Sequence, residues 1–102
     1  MTIISGTTVK FEYTFTEVNP ADMTVAYFSV KQLGKTVVLK DLDTATIESG
    51  KLSWTLTQAE SLSLKKGTEA YIYLDYVLRD GTRGAGETET ASVIAAGKNE
   101  VI

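Results

Sequence analysis

Apolar and polar residues alternate along most of this chain, and a period of two is the mark of strands with one buried face. Over residues 8–16, Val9, Phe11, Tyr13 and Phe15 fall on one face and Lys10, Glu12 and Thr14 on the other. Residues 51–57 set Leu52, Trp54 and Leu56 against Lys51, Ser53 and Thr55. Residues 23–32 form a looser strand whose core face is Ala26, Phe28 and Val30. The longest run, 69–78, aligns Ala70, Ile72, Leu74, Tyr76 and Leu78. Shorter strands are expected at 36–40, after the Leu33-Gly34-Lys35 turn, and at 45–48, ahead of Ser49-Gly50. Residues 87–95 close the set, paired to 69–78 through a turn at 79–82. The spacing predicts an all-β fold, an Ig-like antiparallel β-sandwich of about seven strands. Strand–helix–strand units of about 30 residues are missing, which argues against a parallel doubly wound sheet.

One segment breaks the alternation. In TQAESLSLKKG, Thr57 and Glu60 have capping-box spacing, Lys65 and Lys66 suit the negative end of a helix dipole, and Gly67 suits the left-handed position after it. A short helix is therefore expected before the penultimate strand, with Leu62 and Leu64 turned inward. Its simplest role is to plug one end of the sandwich; a ligand-gating helix is the rival reading.

Composition narrows the chemistry. The chain has 102 residues, enough for one domain spanning 1–102, with extended termini expected at 1–6 and 97–102. Its initial Met leads to the expectation of a whole protein. A formal net charge of −3 gives no long-range attraction to nucleic acid or anionic lipid. Cysteine and histidine are both absent, so no disulfide, thiolate nucleophile, Cys/His metal site or Ser-His-Asp relay can be built from this chain alone. The start MTIISGTTVKF has neither the basic region nor the apolar run of a signal peptide, and no stretch reaches the ~20 apolar residues of a membrane span. The expectation is a soluble protein with no cofactor, metal or nucleotide.

Four candidate sites are weaker than they look. GTRGAGET, residues 81–88, has the glycine spacing of a phosphate-binding loop, but Glu87 occupies the lysine position and strand-formers follow where a helix should start. Asp80-Gly81 between two alternating runs marks a hairpin instead, with Gly84 and Gly86 permitting a bulge or loop beside it. Asp41 and Asp43 lack the further oxygen ligands of a calcium loop. Glu87 and Glu89 suit a soluble surface that discourages edge pairing better than a glycosidase pair. Arg79 and Arg83 read as solvated cations of a loop tip.

The outward side of the longest strand carries more. With Ile72, Leu74 and Tyr76 facing inward, Tyr71, Tyr73 and Val77 face out and only Asp75 among them is polar. Such a face resembles the core of an interface. Val25 and Tyr27 continue it more weakly, unless residues 97–102 or a loop fold over the tyrosines. The 79–86 loop with Arg83, and the termini around 1–4 and 100–102 with Val101 and Ile102, are expected to reach neighbouring subunits.

From Gly50 to Ala96 the order of features is Gly50, Trp54, Leu56-Thr57-Gln58, Gly67, the 71–78 strand and Asp80-Gly81. This order resembles small Ig-like β-sandwich proteins of tailed phages of Gram-positive bacteria, including the N-terminal module of baseplate upper proteins. Ala59 stands where that pattern has an acidic residue. The resemblance implies a non-catalytic virion protein (head decoration, connector or collar, tail or baseplate) in a multi-copy symmetric assembly with other virion proteins, formed in the host cytoplasm. A carbohydrate- or cell-surface-binding adhesion module is the alternative, with Tyr71 or Trp54 stacking on a saccharide. A small hydrolase using a carboxylate pair ranks last.

Overall fold

Strands form at the period-two segments and at two further places, Thr2–Ile4 and Arg83–Ala85. In the computed structural model, which describes residues 1–98 and 100–102, they are β1 (Thr2–Ile4), β2 (Val9–Thr14), β3 (Met23–Gln32), β4 (Lys35–Asp41), β5 (Thr46–Glu48), β6 (Lys51–Leu56), β7 (Ala70–Leu78), β8 (Arg83–Ala85) and β9 (Glu89–Ile94). Among the described residues one α-helix, α1 (Gln58–Leu62), precedes β7, and two 3-10 turns lie at Pro20–Asp22 and Leu42–Thr44. Strands take 52% of the chain and helices 11%, an all-β fold. A small antiparallel sheet has the order β2-β6-β5, and a large one the order β1-β9-β7-β3-β4 with β8 also on β7. Strands β2, β6 and β5 match the B, E and D positions of an Ig-like sandwich, and β9, β7, β3 and β4 match G, F, C and C′.

Several expectations about the sheets are corrected. The large sheet is mixed, because β1 pairs parallel to β9 from Thr2 opposite Ser92 to Ile4 opposite Ile94. The expected N-terminal arm is therefore largely a strand, and Ile3 is fully buried. The 87–95 strand also does not simply close a hairpin on β7. The turn after Leu78 leads into β8, which pairs with Asp75–Val77, while β9 pairs with Ala70–Ile72. Between them Gly86 N–H donates to Leu74 O at 2.9 Å and the register moves by one residue before Glu89, a bulge.

The inward faces are those the alternation defines. Ala26, Phe28 and Val30 of β3, Leu52, Trp54 and Leu56 of β6, and Ala70, Ile72 and Leu74 of β7 are buried together. Phe28 stacks on Trp54 with ring centroids 5.4 Å apart, and Phe11 lies 5.0 Å from Phe28. The Trp54 indole N–H donates to Asp41 O at 2.8 Å, so the ring's one polar atom is paired where water is excluded.

The capping box forms: Thr57 Oγ1 accepts from Glu60 N–H, and Glu60 Oε1 accepts from Thr57 N–H. Leu64 is buried and Leu62 half-buried. The helix ends earlier than expected, at Ser63, which keeps right-handed dihedrals (φ −70°, ψ −15°). Gly67, with φ 77°, turns the chain further on, and its N–H donates to Val93 O. Buried Gln32 holds the intervening loop: its amide nitrogen donates to Lys65 O and Thr68 O, and its amide oxygen accepts from Lys65 N–H.

Candidate interaction faces

The two outer faces of the sandwich differ in kind. On the small sheet, Glu12 lies 3.4 Å from both Lys10 and Lys51, and those ammonium groups hold its carboxyl below the usual range. Ser53, Thr46 and Glu48 line the same side. This face is polar and self-paired.

The outer face of the large sheet is apolar and aromatic. Ile72 opposite Val30 and Leu74 opposite Phe28 point inward, so Tyr71, Tyr73, Asp75 and Val77 point outward. Across the ladder Tyr27 stands opposite Asp75 and Val25 opposite Val77. Arg83 of β8 is opposite Val77 on the other side, and reaches Asp75 at 3.4 Å. A depression of about 220 Å³ runs between Val25, Tyr27, Val77 and Arg83. Tyr27 is 48% exposed and Tyr71 40% exposed, whereas Tyr73 is half-buried with the Lys31 ammonium 5.1 Å from its ring centre. The sheet thus brings Tyr71, Tyr73, Val77, Tyr27 and Arg83 onto one surface.

Val101 and Ile102 lie elsewhere. Ile102 N–H donates to Gln58 Oε1 at 2.8 Å, so the tail turns back to the start of α1. Asn99, within the expected C-terminal arm, lies outside the described residues. The described residues of the tail leave Tyr27 and Tyr71 exposed. Sequence reasoning missed Leu39 of β4, 63% exposed beyond Ser29 in the row of Tyr73, and the exposed pair Ile4 and Ile94 toward the β1 edge. Leu39 was open to detection, since it alternates with buried Val38; three-residue β1 carries too little periodicity.

The other candidates acquire local roles. Gly84 sits opposite Tyr76, and a Cβ there would overlap the Tyr76 ring; a Cβ on Gly86 would stand 3.1 Å from Leu74. These glycines make room for side chains between the sheets. Asp80 Oδ1 accepts from Thr82 N–H, which holds its carboxyl below the usual range, and Gly81 has φ 88° in that turn. Asp41 Oδ1 accepts from Asp43 N–H and caps a single 3-10 turn. Trp54 is buried and unavailable to a saccharide.

The margin between β2 and the β8–β9 bulge was not foreseen. Tyr13, Phe15 and Tyr76 line an open groove there with Glu12, Glu87 and Glu89. Burial pushes the Tyr13 phenol up to about 12, and the Glu89 carboxylate adds to the shift. Among the described residues, no group of three or more His, Cys, Asp or Glu is arranged to hold a metal ion, and no helix is long and apolar enough to cross a membrane.

The fold and these faces define an Ig-like β-sandwich with one apolar outer sheet face. No family model matches the chain, and no curated protein matches it.

Proposed function

We propose that this chain is a non-catalytic structural subunit that works by protein–protein contact through the outer face of its large sheet, in the particle of a tailed phage. The observation that carries the contact role is the contrast between the two outer faces. Both belong to sheets of one small domain, yet one is covered by paired Lys and Glu and the other by Tyr27, Tyr71, Tyr73, Val25, Val77 and Leu39. Tyrosines and aliphatics with a few charges at their margin are the composition of an interface centre. Arg83 and Asp75 supply polar groups beside it.

Support for the phage setting is the order of features between Gly50 and Ala96. A weak monomer in isolation fits such a role, since repeated contacts in a symmetric particle convert modest affinity into stable assembly. Mass spectrometry of purified particles from the host that carries this sequence is expected to recover the chain in stoichiometric amounts. Its absence from those particles overturns the assignment.

A further inference from the structure

The small sheet is one strand short. In Ig-like sandwiches the first strand commonly pairs with the B strand, giving a four-stranded A-B-E-D sheet. Here the first strand, β1, joins the large sheet beside β9, and the B-position strand β2 pairs, among the described residues, only with β6. The far edge of Val9–Thr14 faces no strand among the described residues. On the opposite margin β8 pairs, among the described residues, only with β7.

The side chains at this opening match a particular occupant. Tyr13, Phe15 and Tyr76 face the space between the sheets, with Phe15 and Tyr76 edge-to-face at 5.8 Å. Glu89 pairs with inward-facing Ile72, so it lies on the inward side of β9 where the small sheet stops. Glu87 precedes it in the bulge. Neither Glu87 nor Glu89 forms an ion pair among the described residues, and no lysine or arginine lines the groove, whose volume is about 380 Å³. Glu12, also at the groove, is already shared by Lys10 and Lys51.

We propose that the open edge of β2 accepts an extended segment of a partner protein, which adds as the missing fourth strand and sets basic side chains against Glu87 and Glu89. Backbone hydrogen bonds to the edge supply affinity, as in other strand-addition complexes. Lysine or arginine over the Tyr13 and Tyr76 rings and beside the two carboxylates supplies selectivity. A second copy of this chain is disfavoured there, because a symmetric pairing repeats the same carboxylates on both sides. The site is separate from the Tyr71–Tyr73 face, and its test does not depend on any particle.

The test uses the full chain and a short synthetic peptide alternating lysine with valine, compared with the same peptide carrying glutamate for lysine. Two-dimensional NMR is expected to show saturable shifts centred on Val9–Phe15 and Ala85–Glu89, with slowed amide exchange along β2, for the lysine peptide only. Glu87→Lys with Glu89→Lys, both exposed and so compatible with folding by circular dichroism, is expected to weaken binding by about ten-fold or more. Absence of saturable shifts, equal binding of the glutamate peptide, shifts centred on Tyr71 and Tyr73, or unchanged affinity in the folded double variant each overturn the proposal. Shifts that appear with protein concentration alone identify a second copy as the occupant and overturn it too.

Discussion

Replacing Trp54 by alanine is the most informative single perturbation of this core. Its ring is the largest of the fully buried side chains, stacked on Phe28 at 5.4 Å and met edge-on by Tyr13 at 6.3 Å. Truncating an aromatic in such a setting costs about 3–5 kcal/mol, the transfer loss plus the cavity left behind. The indole N–H also vanishes, so its hydrogen bond to Asp41 O is lost while the Thr44 hydroxyl stays on that oxygen at 3.0 Å, which adds about 0.5–1.5 kcal/mol. Domains of this size hold about 5–15 kcal/mol in total, so Trp54→Ala is expected to be marginal or unfolded at room temperature. Trp54→Phe keeps a ring against Phe28 and is expected to lose about 1–3 kcal/mol. Urea unfolding followed by far-ultraviolet circular dichroism reads both without needing tryptophan emission. A loss under about 1 kcal/mol for Trp54→Ala, with unchanged denaturant dependence, refutes the central position of this ring. Red-shifted native emission that iodide quenches fully refutes it equally.

Other expectations follow from particular contacts. Gln32→Ala removes three hydrogen bonds that tie the Lys65–Thr68 loop to β3, and is expected to cost about 2–4 kcal/mol in urea unfolding. An unchanged midpoint refutes that staple. Gly84→Val drives the Tyr76 ring from its place beside Phe15, at an expected cost of about 1–3 kcal/mol, and a Tyr76 ring unmoved in the variant's NMR spectrum contradicts the packing described. Tyr13 keeps its proton in the folded state up to about pH 12, whereas the unfolded chain releases it near pH 10. Its contribution is thus complete below pH 10 and lost as pH rises toward 12. Tyr13→Phe should flatten this decline relative to the wild type, and parallel declines refute the assignment.

The parts legible in the sequence are those where one face of a strand meets the core. β2, β3, β6 and β7 show their buried residues as every second letter, because each sheet has one inward side. The capping box was equally plain, since Thr57 and Glu60 interact within a single turn. What escaped is non-local. Nothing within Thr2–Ile4 specifies a parallel partner ninety residues away in the chain, at Ser92–Ile94. The end of α1 escaped for a related reason: Gln32, distant in sequence, captures Lys65 N–H and pulls the chain out of the helix before Gly67.

The candidate faces divide along the same line. Tyr71, Tyr73 and Val77 could be placed from alternation within one strand, and Leu39 by the same rule on its neighbour. The groove at β2 could not, because it depends on which sheet the first strand joins. Gly84 and Gly86 looked like loop residues, yet their use is set by Tyr76 and Leu74 across the ladder. Glycine spacing alone does not distinguish a phosphate cradle from a place where a ring must fit.

The face contrast is tested most directly by particle incorporation of two folded double variants. Tyr71→Ser with Tyr73→Ser alters the apolar face, and Lys10→Ser with Lys51→Ser alters the paired polar face by the same number of side chains. Loss of the tyrosine variant from purified particles, with normal incorporation of the lysine variant, is the predicted result. Normal incorporation of the folded tyrosine variant contradicts the account.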